Sequence, residues 1–427
     1  MSYIYNDETK FTDSPQLDAF GRLRTSSLTS IIEVKHVYDK NPLIIDELLG
    51  GTGATSIYIP GASDVEMYVN IDNDYVIRST KSRGIYQPGK SALFDATFME
   101  FHKQPGVTKR VGYYSTEPTG SYDSGFDGIF LQQCGITGGT GTGAYENEGI
   151  SFQIWRKGTK VYDVPLVDWD HSVINPETFI DWQKNQLLWF DFQWLGVGRV
   201  RWGLYLEGQG QIQLGEVVAA NNIIDPYMQS PNQPIRYEIR SNGGVGEFHQ
   251  LCSTFMVEGS LNAVSKSTSI RTDVEKQFNV VGQKYPLIGY RLKSDYPGAN
   301  IFTDFCSTYS TISAHDFIIT LELNPILGPS ASPSWTEVPN TPIEYAMGFG
   351  ATGSTGDQIA TSGHVISSWI AKGGSTTSND GIEVSDNIIR PGICVNGTPD
   401  QVWICATPIN SATAKIKMAV VNLSYFD

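Results

Sequence analysis

The sequence predicts an all-β protein made of two antiparallel, jelly-roll-like β-sandwich domains behind an extended N-terminal arm. Three observations carry that expectation. Residues 187–218 alternate apolar and polar side chains with a period of two, interrupted only by glycine-rich turns, which is the pattern of a β-meander with one buried face. The 427 residues include 43 glycines, 21 tyrosines, 19 phenylalanines and 9 tryptophans; rings of that width fill the ~10 Å gap between two packed sheets. Short alternating runs recur between turn signals along the rest of the chain, and no long amphipathic helix is evident, residues 176–184 suggesting a short one.

Taken in order, residues 1–55 read as an arm and hinge. Residues 13–24 (DSPQLDAFGRLR) lack periodicity, 26–37 read as a strand or short helix broken by Asn41-Pro42, and the Gly-rich 49–55 act as a hinge. Such a segment gains order by lying on a neighbour, either another subunit or its own domain. Residues 56–260 form the first sandwich, with strands expected at 65–71, 75–79, 92–101, 128–133, 150–156, 160–165, through the meander, and at 235–241 and 250–258. The polar, Ser/Thr-rich 261–282 reads as a linker. Residues 283–427 form the second sandwich, with strands at 287–292, 317–323, 343–349, 364–370, 401–406 and 415–425.

Within the meander the phase assigns faces. Leu188, Phe190, Phe192, Trp194, Val200, Trp202, Leu204, Leu206, Ile212 and Leu214 fall on the buried side. Asp191, Gln193, Arg199 and Arg201 fall opposite. Gly196 and Gly198 supply the turn between the strands. Asp191 is the natural cross-strand partner of the arginines, as a surface pair worth ~0–1 kcal/mol or as an anchor for the arm or a neighbouring subunit.

Composition limits the function. A net charge of −15 argues against an extended nucleic-acid surface. No segment has the ~20 apolar residues that span a bilayer, so membrane insertion is not expected, and the first eight residues carry no secretory pattern. Charged residues are only 18% of the chain, a surface suited to subunit packing. The five cysteines form no C-x-x-C pair and read as buried thiols made in a reducing cytoplasm, although Cys394 and Cys405 could meet across a hairpin.

Catalytic chemistry finds little support. His36, His102, His171, His249, His315 and His364 form neither H-x-H nor H-E-x-x-H, so each is expected to be a packed or surface histidine. Residues 135–143 lack the Gly-Lys-Ser/Thr ending of a phosphate loop, and no Gly-x-Ser-x-Gly elbow occurs. Asp72-Asn73-Asp74 and Asp123 to Asp127 could supply oxygens to calcium, but tight turns favour the same residues. No cofactor and no metal is expected. Carbohydrate binding stays open, because Trp155, Trp169, Trp182 and Trp189, if exposed, could stack on sugars.

Several phrases resemble a family of virion structural proteins of tailed bacteriophages, marine ones especially, and of some large DNA viruses. They are Asp18-Ala-Phe-Gly-Arg-Leu-Arg24, Tyr86-Gln-Pro-Gly-Lys-Ser91, Phe190-Asp-Phe-Gln-Trp-Leu-Gly-Val-Gly-Arg-Val-Arg201 and Ser230-Pro-Asn-Gln-Pro-Ile-Arg-Tyr-Glu238, with Tyr285 to Ser294 and Leu321 to Pro325 farther on. The resemblance implies a non-enzymatic structural component of a virus particle, a neck or tail appendage or an exterior capsid-associated protein, made in the host cytoplasm and located in the virion. Its partners would be copies of itself, as a trimer or higher ring, and other virion proteins. Phe20, Arg22 and Arg24 in the arm, with Asp191, Arg199 and Arg201 in the meander, are the candidate assembly contacts. The alternative is a carbohydrate-binding host-adsorption module of a tail fibre or spike, with a host-surface glycan as partner.

Overall fold

A computed structural model describes residues 27–135, 149–259, 265–374, 382–383 and 390–426. The chain is nearly all β and divides into two units, Met1–Asn262 and Ala263–Asp427. The first unit is a sandwich of two antiparallel sheets. One sheet runs Gly210–Val218, Arg199–Leu206, Gln186–Phe192, Ala92–Met99, Gly246–Glu258, Asp64–Val69 and Thr55–Ile59, with Leu28–Val34 pairing on the far half of Gly246–Glu258. The other runs Thr159–Pro165, Ile150–Arg156, Asp127–Cys134, Val107–Ser115, Ile235–Ser241, Tyr75–Thr80 and Ile45–Gly50.

The meander is where the period of two places it. Leu188, Phe190, Phe192, Val200, Trp202, Leu204, Ile212 and Leu214 are all buried in the core. Trp194 lies beyond the strand end and is half-buried, as is Leu206. Aromatic rings join the two sheets: Phe152 stacks on Trp202 with centroids 4.1 Å apart, and Tyr113 stacks on Phe255 at 4.5 Å. In the connecting turn Gly196 has φ +82, the left-handed region that favours glycine. Gly198 is needed for another reason, since a Cβ there would stand 1.7 Å from the Gln193 carbonyl oxygen.

The expected arm needs correction. Leu28–Val34 and Ile45–Gly50 are strands of the sandwich, so the described part of the 1–55 segment packs on its own domain, and residues 1–26 lie outside the described residues. Ile32, Val34 and Ile45 are buried in the core, and a buried cation ties in the stretch from Lys40 to Glu47. Arg78 points from the second sheet into the space between the sheets and is fully buried. Its Nε donates to Gln250 Oε1 of the opposite sheet at 2.6 Å, and one Nη donates to the Lys40 carbonyl at 2.7 Å. Its other Nη pairs with Glu47, the residue directly opposite it on the 45–50 strand. Glu47 also accepts from Lys40 Nζ at 2.8 Å and Ser56 Oγ at 2.7 Å, so the expected hinge is tied down on both sides.

The Val107–Ser115 strand was not expected from the sequence, because Lys109 and Arg110 break its apolar run. Its first eight residues are nonetheless buried. Lys109 turns its ammonium onto the carbonyls of Glu100 and His102, and burial lowers it to about 7.

The second unit has a sheet of Thr336–Glu337, Ile343–Met347, Tyr285–Leu292, Val402–Pro408, Phe317–Leu323 and His364–Ala371, and a smaller one of Lys266–Arg271, Met418–Phe426, Asn300–Tyr309 and Ile382–Glu383. Their facing sides share one core that includes Phe317, Ile319, Leu321, Ile301 and Val421. The expected linker at 261–282 therefore also needs correction: Lys266–Arg271 pairs with Met418–Phe426, and Lys276–Gln277 with Lys415–Ile416. Cys394 and Cys405 are not bridged to each other.

Two expectations test the Arg78 brace. Glu47→Ala leaves a buried guanidinium without its counter-charge, and urea unfolding should show a loss of about 3 kcal/mol. His36, also fully buried, has its imidazole lowered to about 4 by burial and by the Arg78 charge. Because the unfolded ring takes a proton near pH 6.5 and the folded one does not, stability should be lost as pH falls from 6.5 towards 4. The loss is on the order of 2–3 kcal/mol, and His36→Gln should flatten that part of the stability–pH profile.

Candidate functional site

Three of the phrases that carry the resemblance meet at one place in the first unit. Tyr86 packs edge-on against Trp194, with centroids 5.8 Å apart, and its hydroxyl accepts from the Leu195 backbone at 3.1 Å. The Tyr86 backbone N–H donates to Asn232 Oδ1 at 2.9 Å. Trp194 Nε1 donates to the Met228 carbonyl at 3.2 Å, and the Tyr227 N–H to the Gly196 carbonyl at 2.9 Å. Residues 84–91, 193–198 and 225–233 are thus fastened into one surface by hydrogen bonds between loops.

Asp127 anchors the middle of that surface. It accepts from the backbone of Gln229 at 2.7 Å, of Ser230 at 3.0 Å and of Lys157 at 3.3 Å, and from Gln233 Nε2 at 2.6 Å. Burial pushes its carboxyl up, and the three backbone donors oppose that shift. Beside it opens a shallow cleft of about 350 Å³ lined by Arg156, Lys157, Asp225, Pro226 and Gln229. Arg156 and Asp225 face each other across an ion pair at 3.0 Å. The cleft therefore presents both donors and acceptors in a wall held by Asp127 behind it.

The other acidic turn candidates are braces. Asp74 accepts from the backbone of Gly53, Asn70 and Ile71 at 2.8–3.2 Å. Asp123 pairs with Arg110 at 2.7 Å. Arg110 belongs to a buried cluster around Glu238 on the outer face of the second sheet. Glu238 pairs with Arg110 at 2.7 Å, with Arg236 at 2.6 Å and with Arg240. Burial alone would raise this carboxyl, but Arg240, Arg236 and Arg110 outweigh it and hold it far below the usual carboxylate range. The backbone carbonyl of Tyr122 caps Arg236 and Arg240. The signal was present in the sequence, since Arg236-x-Glu238-x-Arg240 on a strand puts three charges on one face.

The meander residues divide. Asp191 and Arg201 are directly opposite, with Arg201 Nε donating to Asp191 Oδ1 at 2.9 Å and a second guanidinium nitrogen to Oδ2. The pairing is as expected; its exposure is not, because Asp191 is only 1% exposed. Arg199 instead meets Glu216 of the neighbouring strand, at 3.7 Å. Phe20, Arg22 and Arg24 lie outside the described residues. Of the tryptophans considered for sugar stacking, Trp169, Trp182 and Trp189 are buried. Trp155 is half-buried against Phe126 and Phe130, with its Nε1 bonded to Gln153.

One grouping escaped the sequence reading: Glu247 and His249 of one strand stand beside Glu66 of the next. Glu247-x-His249 was visible as a same-face pair once a strand was assigned there, but the expected strand began at Gln250, and Glu66 arrives only through strand pairing.

The sequence matches no protein-family model and no curated protein. Solved structures that it is similar to include the Emp47p carbohydrate recognition domain, at 10% identity and TM-score 0.32 over 55% of this chain and 97% of that one. They also include the VIP36 exoplasmic/lumenal domain in its Ca²⁺/Man3GlcNAc-bound form, at 11% identity and TM-score 0.35 over 56% and 92%. A third is a legume lectin-like domain from Entamoeba histolytica, at 10% identity and TM-score 0.31 over 54% and 98%. At such scores nothing about a ligand or a site transfers to this chain.

The two meander arginines should behave differently. Arg201→Ala leaves the buried Asp191 carboxylate without its bidentate partner and should cost about 3 kcal/mol in thermal or urea unfolding. Arg199→Ala removes a long, partly exposed contact and should cost no more than about 1 kcal/mol.

Proposed function

We propose that the chain is a non-enzymatic binding component of a virus particle, with its two sandwiches serving as rigid recognition bodies. What supports binding over catalysis is that the buried acidic candidates are committed to structural bonds, Asp74 and Asp127 to backbone donors and Glu238 to arginines. Glu238 is held ionised by three arginines, so it neither gives nor takes a proton near neutrality and acts as a brace. The virus-particle half of the reading rests on the resemblance of the quoted phrases.

Two modes of binding follow, each favoured by its own observation. Assembly is favoured by the second unit, where Ile318 and Ile370 stand directly opposite each other on the 317–323 strand and the edge strand 364–371. They are 40% and 59% exposed, and paired apolar side chains at a sheet edge are what a subunit contact covers. Host adsorption through carbohydrate is favoured by the cleft at Arg156, Lys157, Asp225, Pro226 and Gln229, whose mainly apolar wall with a few polar groups suits the apolar face and the hydroxyls of a sugar. The adsorption mode uses a surface already shaped, with the three joined phrases behind it.

One experiment with the full-length chain tests both. Glycan-array binding should be saturable and fall at least tenfold in Lys157→Ala with Asp225→Ala, while Ile370→Lys leaves it unchanged. Sedimentation should show an oligomer that Ile370→Lys dissociates. A monomer with no glycan bound would overturn the proposal, as would turnover of a host polysaccharide by the purified protein.

A further inference from the structure

On the outer face of the first sheet, Glu247 and His249 flank the core residue Phe248, and Glu66 lies directly opposite His249 on the neighbouring strand. One ligand atom from each of Glu66, Glu247 and His249 lies within 4.8 Å of the others. Asp64 stands behind the ring: His249 Nδ1 donates to its Oδ2 at 2.9 Å. Asp64 is only 1% exposed, and its Oδ1 is buried with no hydrogen-bond partner among the described residues. We propose that Glu66, Glu247 and His249 bind a divalent first-row transition-metal ion of the Zn²⁺ class, with Asp64 as the residue that positions the imidazole.

The chemistry follows from the donors. An Nδ1–H held by a carboxylate fixes the tautomer and leaves Nε2 as the basic nitrogen, and the same hydrogen bond raises its strength as a ligand. A nearly buried carboxylate costs free energy unless positive charge stands near it. A cation on the ring supplies that charge through the polarised N–H. One imidazole with two carboxylates is a Zn²⁺-type set, with further positions left to water or to a ligand. Ca²⁺ takes six to eight oxygens and finds too few here. Glu66 and Glu247 are half-buried, so an ion can enter from solvent.

The test uses the full-length chain stripped with a chelator and titrated with Co²⁺, followed by Zn²⁺ competition. One equivalent should bind with a visible spectrum of nitrogen and oxygen ligands and no thiolate charge-transfer band, and Ca²⁺ should not displace it. His249→Ala should weaken binding at least 100-fold, and Asp64→Asn by about 10–100-fold. Glu66→Gln, at a half-buried position that leaves the His249–Asp64 pair in place, should weaken binding at least tenfold with an unchanged near-ultraviolet circular dichroism spectrum. Failure to bind Co²⁺, a thiolate spectrum, or affinity unchanged in Glu66→Gln would each overturn the assignment.

Discussion

The first unit depends on one buried guanidinium. Arg78 stands between two sheets whose other contacts are largely apolar, and a charge in that position is tolerable only when it is paired and hydrogen-bonded. Its partners come from places far apart in the sequence: Gln250 across the sandwich, Glu47 on the adjoining strand and the Lys40 carbonyl before it. These bonds tie residues 40–56 to the domain, beside the strand pairing of Ile45–Gly50. The buried charge also explains why His36 stays neutral nearby, since a second cation beside Arg78 would be repelled as well as desolvated.

The same logic recurs on the outer face of the second sheet. There Glu238 gathers Arg110, Arg236 and Arg240, and the guanidinium groups lie over aromatic rings: Arg110 on Phe126 at 4.7 Å, Arg236 on Tyr114 at 5.2 Å and Arg240 on Tyr75 at 4.9 Å. A face that alternation marks as polar is therefore buried, under the 116–126 segment. Charge is used here to fix position, and low local polarity makes each hydrogen bond both stronger and more costly to lose. The cleft beside Asp127 inherits this rigidity, because the loop that carries Gln229 and Ser230 is pinned to a buried carboxylate.

The placement of possible ligand-binding groups follows from these braces. Acidic residues at or beside turns, Asp74 and the strand-opening Asp127 among them, have their oxygens committed largely to backbone donors. Glu66 and Glu247, on strands rather than turns, are held instead by sheet register, and that register puts them beside a histidine whose other side is already taken by Asp64.

The sequence by itself determined the fold class and most strands. Alternation over 187–218 placed eight of its ten inward residues in the core, Trp194 and Leu206 being only half-buried, and the strands at 150–156, 235–241 and 317–323 emerged with their full bounds, because a period of two is a local consequence of one buried face. It also made the Asp191–Arg201 pair legible, since a short turn fixes which residues stand opposite. What only the tertiary structure decided was which polar residues would be buried. Nothing in the local sequence marks the charged Lys109, Arg78, Glu47 and Asp191 for burial. Their burial depends on partners brought by strand order, which pairs residue 78 with 47 and with 250, and residue 66 with 249. Local sequence carries no record of those neighbours, because sheet pairing joins segments according to the whole chain's need to satisfy its buried groups.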